Sequence, residues 1–267
     1  ILFLLVFSFS ISAQSKVVPL IDIKVNGLLG GVENGKFIDA KTTIQKLSAE
    51  QNYTLYFLDG TTEDLRMKKP TNSLEICDDF FAIDMTNEEY TRRFEKGGIG
   101  MGEGFRWNPQ PRIPKNIDLK NAEYLKIVNA FLSTKRITYK VKELKQAVKI
   151  DLDGDSQDEV ILTASRIMEY EERKPNTAYD EFSFTLLRKI VNGKVQNILI
   201  EGEFFPKSRN EYDSYDFSIS SIADLNGDGK MEIINYGAYY EGNGTKVFEI
   251  IGNKAVEVKK LTVGCGV

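Results

Sequence analysis

Asp151-Leu-Asp153-Gly-Asp155-Ser-Gln157-Asp-Glu159 and, 73 residues further on, Asp224-Leu-Asn226-Gly-Asp228-Gly-Lys230-Met-Glu232 decide the reading of this chain. Each stretch sets oxygen-bearing side chains at its first, third, fifth and ninth positions, with glycine at the fourth. Calcium takes about six to eight hard oxygen ligands at about 2.3–2.6 Å, and a tight loop can supply them from alternate residues. The side chains of Asp151, Asp153, Asp155 and Glu159 would form one cage, and those of Asp224, Asn226, Asp228 and Glu232 a second. Gln157 and Lys230, at the seventh position, would add main-chain carbonyls. One such run could be an acidic turn. Two in the same register predict two Ca2+ sites.

The surroundings exclude a helix-loop-helix site. That motif needs its bidentate glutamate at the twelfth position, where this chain has Leu162 and Asn235. Apolar, β-branched runs stand on both sides of each loop: 146–150 and 159–165 around the first, 217–223 and 232–239 around the second. Each loop is therefore expected to join two strands.

A strand, a DxDGDxxxE loop and a second strand together resemble the FG-GAP/VCBS repeat of integrin-type β-propellers and of many secreted bacterial proteins. The resemblance covers about residues 140–267. It implies that Asp151, Asp153, Asp155 and Glu159, then Asp224, Asn226, Asp228 and Glu232, are calcium ligands. It departs from uniformity at the sixth position, where the first loop has Ser156 and the second Gly229. If that position requires a positive φ, serine costs about 1 kcal/mol there.

Working outward, each loop sits in a unit of four expected strands. The first unit reads 144–151, 158–167, 180–190 and 195–205, and the second 216–224, 231–240, 245–251 and 254–262. Asn192-Gly193 and Gly252-Asn253 mark tight hairpins between the last two strands of each. The first unit carries an insert at about 168–179. The expected class is mainly β, with two tandem antiparallel units resembling propeller blades. Two blades cannot close a ring, so residues 14–96 are read as a separate β-rich domain, with strand candidates at 17–25, 36–40, 53–58 and 78–85. Residues 97–118, rich in glycine and proline, read as a linker. The one expected helix is 119–133, where Leu119, Ala122, Leu125, Val128, Phe131 and Leu132 form an apolar stripe suited to packing on a sheet.

Composition narrows the function. The 267 residues include no histidine, which removes Ser-His-Asp and Cys-His catalysis and His-ligated zinc. Net charge is −4 with acids and bases interspersed, so no basic face for nucleic acid is expected. Residues 1–13, Ile-Leu-Phe-Leu-Leu-Val-Phe-Ser-Phe-Ser-Ile-Ser-Ala, resemble the apolar core and cleavage site of a truncated signal peptide. The mature chain would start near Gln14, carry no membrane span and be secreted or periplasmic. Cys77 and Cys265 fit that compartment either as a disulfide or as two buried thiols.

The function expected is an exported, non-enzymatic protein with structural calcium and a surface for a protein or glycan. Tyr239, Tyr240, Trp107, Tyr212 and Tyr215 could stack on sugars, or pack across strands. The alternative is an exported polysaccharide hydrolase working through a carboxylate pair. The acid pairs Asp78-Asp79, Glu88-Glu89 and Glu171-Glu172 read as solvated surface.

Overall fold

The computed structural model describes residues 16–72, 77, 79–167, 180–207 and 214–266. The expected signal at 1–13, the insert at 168–179, Asp78 and Tyr212 lie outside the described residues. The N-terminal part holds β1 (Val18–Asp22), β2 (Gly27–Glu33), β3 (Lys36–Ile38), α1 (Ala40–Lys46), β4 (Glu50–Tyr56), β5 (Thr62–Lys68), α2 (Asn87–Phe94) and β6 (Ile99–Gly102). Then come β7 (Lys115–Asn116), α3 (Ala122–Thr134), β8 (Gln146–Ile150), β9 (Glu159–Arg166), β10 (Glu181–Val191) and β11 (Lys194–Phe205). The last unit is β12 (Asp216–Ala223), β13 (Glu232–Tyr239), β14 (Gly242–Ile251) and β15 (Lys254–Gly266).

The protein is mainly β, and its sheets do not close into a barrel. Both expected four-stranded units form, each an antiparallel meander in chain order: β8-β9-β10-β11, with β7 added at the edge, and β12-β13-β14-β15. Their hairpins are the expected two-residue turns, closed by the pairs Val191–Lys194 and Ile251–Lys254. Asn192 and Gly193 both take positive φ, the backbone a type I′ turn requires. The third sheet is six-stranded, in the order β3-β2-β1-β6-β4-β5.

The last unit is the middle layer. Alternation along its strands sends Ala223, Ile234 and Val247 toward the N-terminal sheet, where they meet Leu20, Leu29, Ile99 and Met101. Their neighbours Ile222, Ile233 and Phe248 point the other way, onto Val148, Ile161, Leu187 and Ile200 of the first repeat unit. The period-2 pattern thus builds two cores from one sheet. On the outer face of the first unit α3 buries Val128 and Leu132 against Leu162, Phe182 and Phe184, with Leu119, Leu125 and Phe131 partly covered. The expected stripe packs on a sheet as read, except that Ala122 is exposed. No described helix is long and apolar enough to cross a membrane.

Three expectations need correction. Residues 97–118 are not a linker. Ile99–Gly102 is the strand β6, wholly buried between β1 and β4. A Cβ on Gly100 would lie 2.5 Å from Ile21 Cγ1, and one on Gly102 would lie 2.4 Å from Pro19 Cγ. The glycines that suggested flexibility answer to close packing. Second, the described part of the 78–85 candidate, 79–85, is not a strand; Ala82 only bridges Thr71 and Gly27. Third, α3 is joined by α1 and α2. These start at Asp39, which accepts from the Thr42 N–H, and at Thr86, which forms a capping box with Glu89.

Cys77 and Cys265 form a disulfide, with Cα atoms 5.8 Å apart. It ties β15 to the segment that precedes α2.

Candidate metal centre

The two acidic loops link β8 to β9 and β12 to β13, and they share four hydrogen bonds position for position. Asp151 accepts from the N–H groups of Gly154 (2.7 Å) and Ser156 (3.0 Å). Asp224 accepts from Gly227 (2.7 Å) and Gly229 (2.9 Å). The fifth residue accepts from the seventh N–H, Gln157 to Asp155 at 2.8 Å and Lys230 to Asp228 at 2.9 Å. The ninth accepts from the second, Leu152 to Glu159 and Leu225 to Glu232, both at 2.8 Å. These bonds turn the first and ninth residues inward in both loops, whereas the fifth stays exposed at the tip. The sixth position takes φ of 68° at Ser156 and 84° at Gly229, so serine there does sit in the left-handed region.

A segment read from sequence as linker braces both loops. Arg112 donates to the carbonyls of Asp151 (2.5 Å) and Leu152 (3.0 Å) in the first loop and Gly229 (2.7 Å) in the second. The Met231 N–H bonds the Leu152 carbonyl at 2.8 Å, joining the loops directly. Trp107 donates its indole N–H to the Asp224 carbonyl at 2.9 Å and lies over Gly227, where a Cβ would come within 2.8 Å of the ring. Trp107 thus packs beneath the second loop and stands on no open sugar-binding face.

The interiors of the loops differ. In the first, Asp151, Asp153 and Glu159 each offer an oxygen, all within 4.8 Å of one another. Asp155 and Gln157 sit at the exposed tip and bond to each other. Lys189 of β10 enters this loop. Its ammonium lies 2.7 Å from Asp153 and 2.5 Å from Glu159. Burial alone would lower the Lys189 pKa, but its bonds to the two carboxylates outweigh that and raise it. Burial would likewise raise Asp153, and Lys189 brings it below the usual carboxylate range. One Asp153 oxygen, Oδ1, is buried without a hydrogen-bond partner.

In the second loop Asp224 is 3 % exposed and Glu232 2 %. Neither forms an ion pair with a Lys or Arg among the described residues. Burial pushes Glu232 up to about 8, with repulsion from Asp224, Asp228 and Glu249 adding to it. Burial also raises Asp224, against the Gly227 and Gly229 N–H groups. Asn226 is half-buried, whereas Asp228 and Lys230 are exposed at the tip. The donor set of Asp224, Asn226, Asp228 and Glu232, with the Lys230 carbonyl, is all oxygen, the chemistry a hard cation takes. Among the described residues, however, only the first loop gathers three carboxylates within 4.8 Å of one another.

A cleft of about 670 Å³ opens at the far end of the middle sheet, lined by Glu201, Tyr215, Asn235, Tyr239 and Lys246 among others. Glu201 is held by Lys246 (2.5 Å) and Asn235 (2.9 Å), and Tyr215 stacks on Phe217. Tyr240 is 81 % exposed.

No family model, curated protein or solved structure matches the chain.

Lys189, Glu249, Arg112 and Trp107 escaped the motif, which is local, whereas these side chains arrive from other strands and segments. One signal was available. Lys189 precedes Asn192 by three residues, and Glu249 precedes Gly252 by three, so the two hairpin turns mark them as equivalent.

Proposed function

We propose that the protein is an exported, non-enzymatic calcium-binding β-repeat protein of the FG-GAP/VCBS kind, in which calcium is structural. The observation that carries this is the burial of Asp224 and Glu232 in the second loop, with no cationic side chain among the described residues paired to either. Two carboxylates taken out of water without a counter-charge are costly, and a divalent ion on their free oxygens offsets that cost. The disulfide agrees with an oxidising compartment, where calcium is also available.

Calcium fixes a turn between two strands that are already paired, so its effect is on stability. At free calcium 100-fold above Kd, one site adds about 2.7 kcal/mol. The cleft at the end of the middle sheet, with tyrosine faces beside carboxylate, amide and ammonium groups, is the surface we assign to a protein or glycan partner.

Thermal unfolding in EDTA and then in millimolar calcium, with magnesium as control, tests the proposal. A calcium-specific rise in Tm is expected. An unchanged Tm would leave the loops as plain acidic turns.

A further inference from the structure

We propose that Lys189 is the resident cation of the first loop, its ammonium standing where a calcium ion would bind, so that only the second loop takes the ion. The inference rests on the calcium reading of the second loop, and it divides two motifs that are nearly the same in sequence.

Three observations carry it. The Lys189 side chain is 9 % exposed and Glu159 2 %, with their charged atoms 2.5 Å apart and Asp153 at 2.7 Å. An ammonium so placed occupies the space between the ninth-position and third-position carboxylates, the two that a calcium ion would have to bridge. Second, the cation is tethered to a central strand. Antiparallel register pairs Arg188 with Val160, which sets Lys189 across from Glu159. A calcium ion would have to expel the ammonium and leave a buried lysine unpaired, which is far more costly than leaving it in place. Third, the second repeat reverses the charge. Ile233 pairs with Phe248, which sets Glu249 across from Glu232. Where the first loop has its own cation, the second has another carboxylate, close enough to repel Glu232. Lys230, the lysine of the second loop, is exposed at the tip and acts on Glu249.

The approach of Asp153 to Glu159 therefore reflects their shared ammonium, while Asp151 is held by the Gly154 and Ser156 N–H groups. The buried Asp153 Oδ1, which lacks a hydrogen bond, is the oxygen a metal would take if the lysine were removed.

The test is equilibrium dialysis with radioactive calcium at millimolar concentration on the full chain, with melting curves in EDTA alongside. Wild type is expected to hold one ion. Glu232→Gln should hold none. Lys189→Met should hold two, melt several degrees below wild type in EDTA and regain that loss in calcium. Glu249→Lys, a change at a half-buried position that copies the first loop's charge into the second, should hold none and keep its EDTA melting temperature. Two ions on wild type would overturn the inference while leaving the calcium reading intact, as would a single ion on Lys189→Met or an ion retained by Glu249→Lys. No ion on any protein would end the calcium reading. Lys189 would then be judged by the EDTA melt alone, where an undiminished Tm for Lys189→Met overturns its role.

Discussion

Arg112 and Gly229 are joined by a 2.7 Å hydrogen bond, and the same guanidinium holds Asp151 and Leu152 of the other acidic loop. Both loops are thereby fixed as a pair, and the planar fork of donors suits three carbonyls set at different angles. Arg112→Ala removes three hydrogen bonds at once, leaving the Leu152 carbonyl only its bond from the Met231 N–H, and hydrogen bonds from a charged group contribute about 1.5–3 kcal/mol each. Because Arg112 is half-exposed and the three bonds act together, a loss of about 2–3 kcal/mol is expected in urea denaturation. Arg112→Lys should recover less than half of it. Equal stability of Arg112→Ala and wild type would show that the loops hold their places without the bracket.

Ser156 stands where the second repeat has Gly229, with a φ of 68°. A side chain in that region costs about 1–2 kcal/mol, of which glycine gives back part as chain entropy in the unfolded state. Ser156→Gly should therefore raise stability by about 0.5–1 kcal/mol in EDTA. The Asp151 carboxylate keeps its bond to the backbone N–H at 156 in either case, so the loop is not redrawn. A loss of stability would mean that the serine hydroxyl supports the loop in a way the geometry does not reveal.

The Cys77–Cys265 bond closes a long loop, the two cysteines being 188 positions apart in sequence. Long closures restrict the unfolded chain most, and native disulfides typically contribute about 2–5 kcal/mol. Cys77→Ala/Cys265→Ala should lose that amount in denaturant titration without changing the far-ultraviolet circular dichroism. Retained secondary structure is expected because the sheets are joined by two apolar cores, only one of which the two cysteines touch. Collapse of the fold in the double variant would instead make the disulfide a condition for folding.

The repeat units were legible because their signals are local: alternation, Asn-Gly turns and a glycine-marked acidic loop each lie within about ten residues. The N-terminal sheet was not, since β6 has the sequence Ile-Gly-Met-Gly and shows neither β-branched density nor alternation. Its strand character comes from β1 and β4 on either side, and its glycines from Ile21 and Pro19 pressing on it. The same holds at the acidic loops. The motif names the acids of each loop, but which loop keeps a cation of its own depends on Lys189 and Glu249, each on the strand paired with the one that follows its loop.

Asp22 is fully buried between the N-terminal and middle sheets, where it accepts from the Val25 N–H at 2.8 Å and the Ser220 hydroxyl at 3.2 Å. Burial outweighs those bonds and the nearby Lys24 charge, pushing its carboxyl up to about 6 from 3.8. A raised folded-state pKa means that the folded protein binds more protons than the unfolded chain between those two values. Stability from this group is then complete below about pH 4 and is lost as pH rises through 6. The full change is about 3 kcal/mol, at about 1.4 kcal/mol for each pKa unit. Asp22→Asn keeps an acceptor for Val25 and cannot ionise, so its stability should lack this fall. The check is to measure urea stability of both proteins from pH 4 to 7 in one buffer and take the difference, which cancels the loop carboxylates common to both. The variant should gain on wild type as pH rises. A constant difference across the range would show that Asp22 stays in one protonation state throughout.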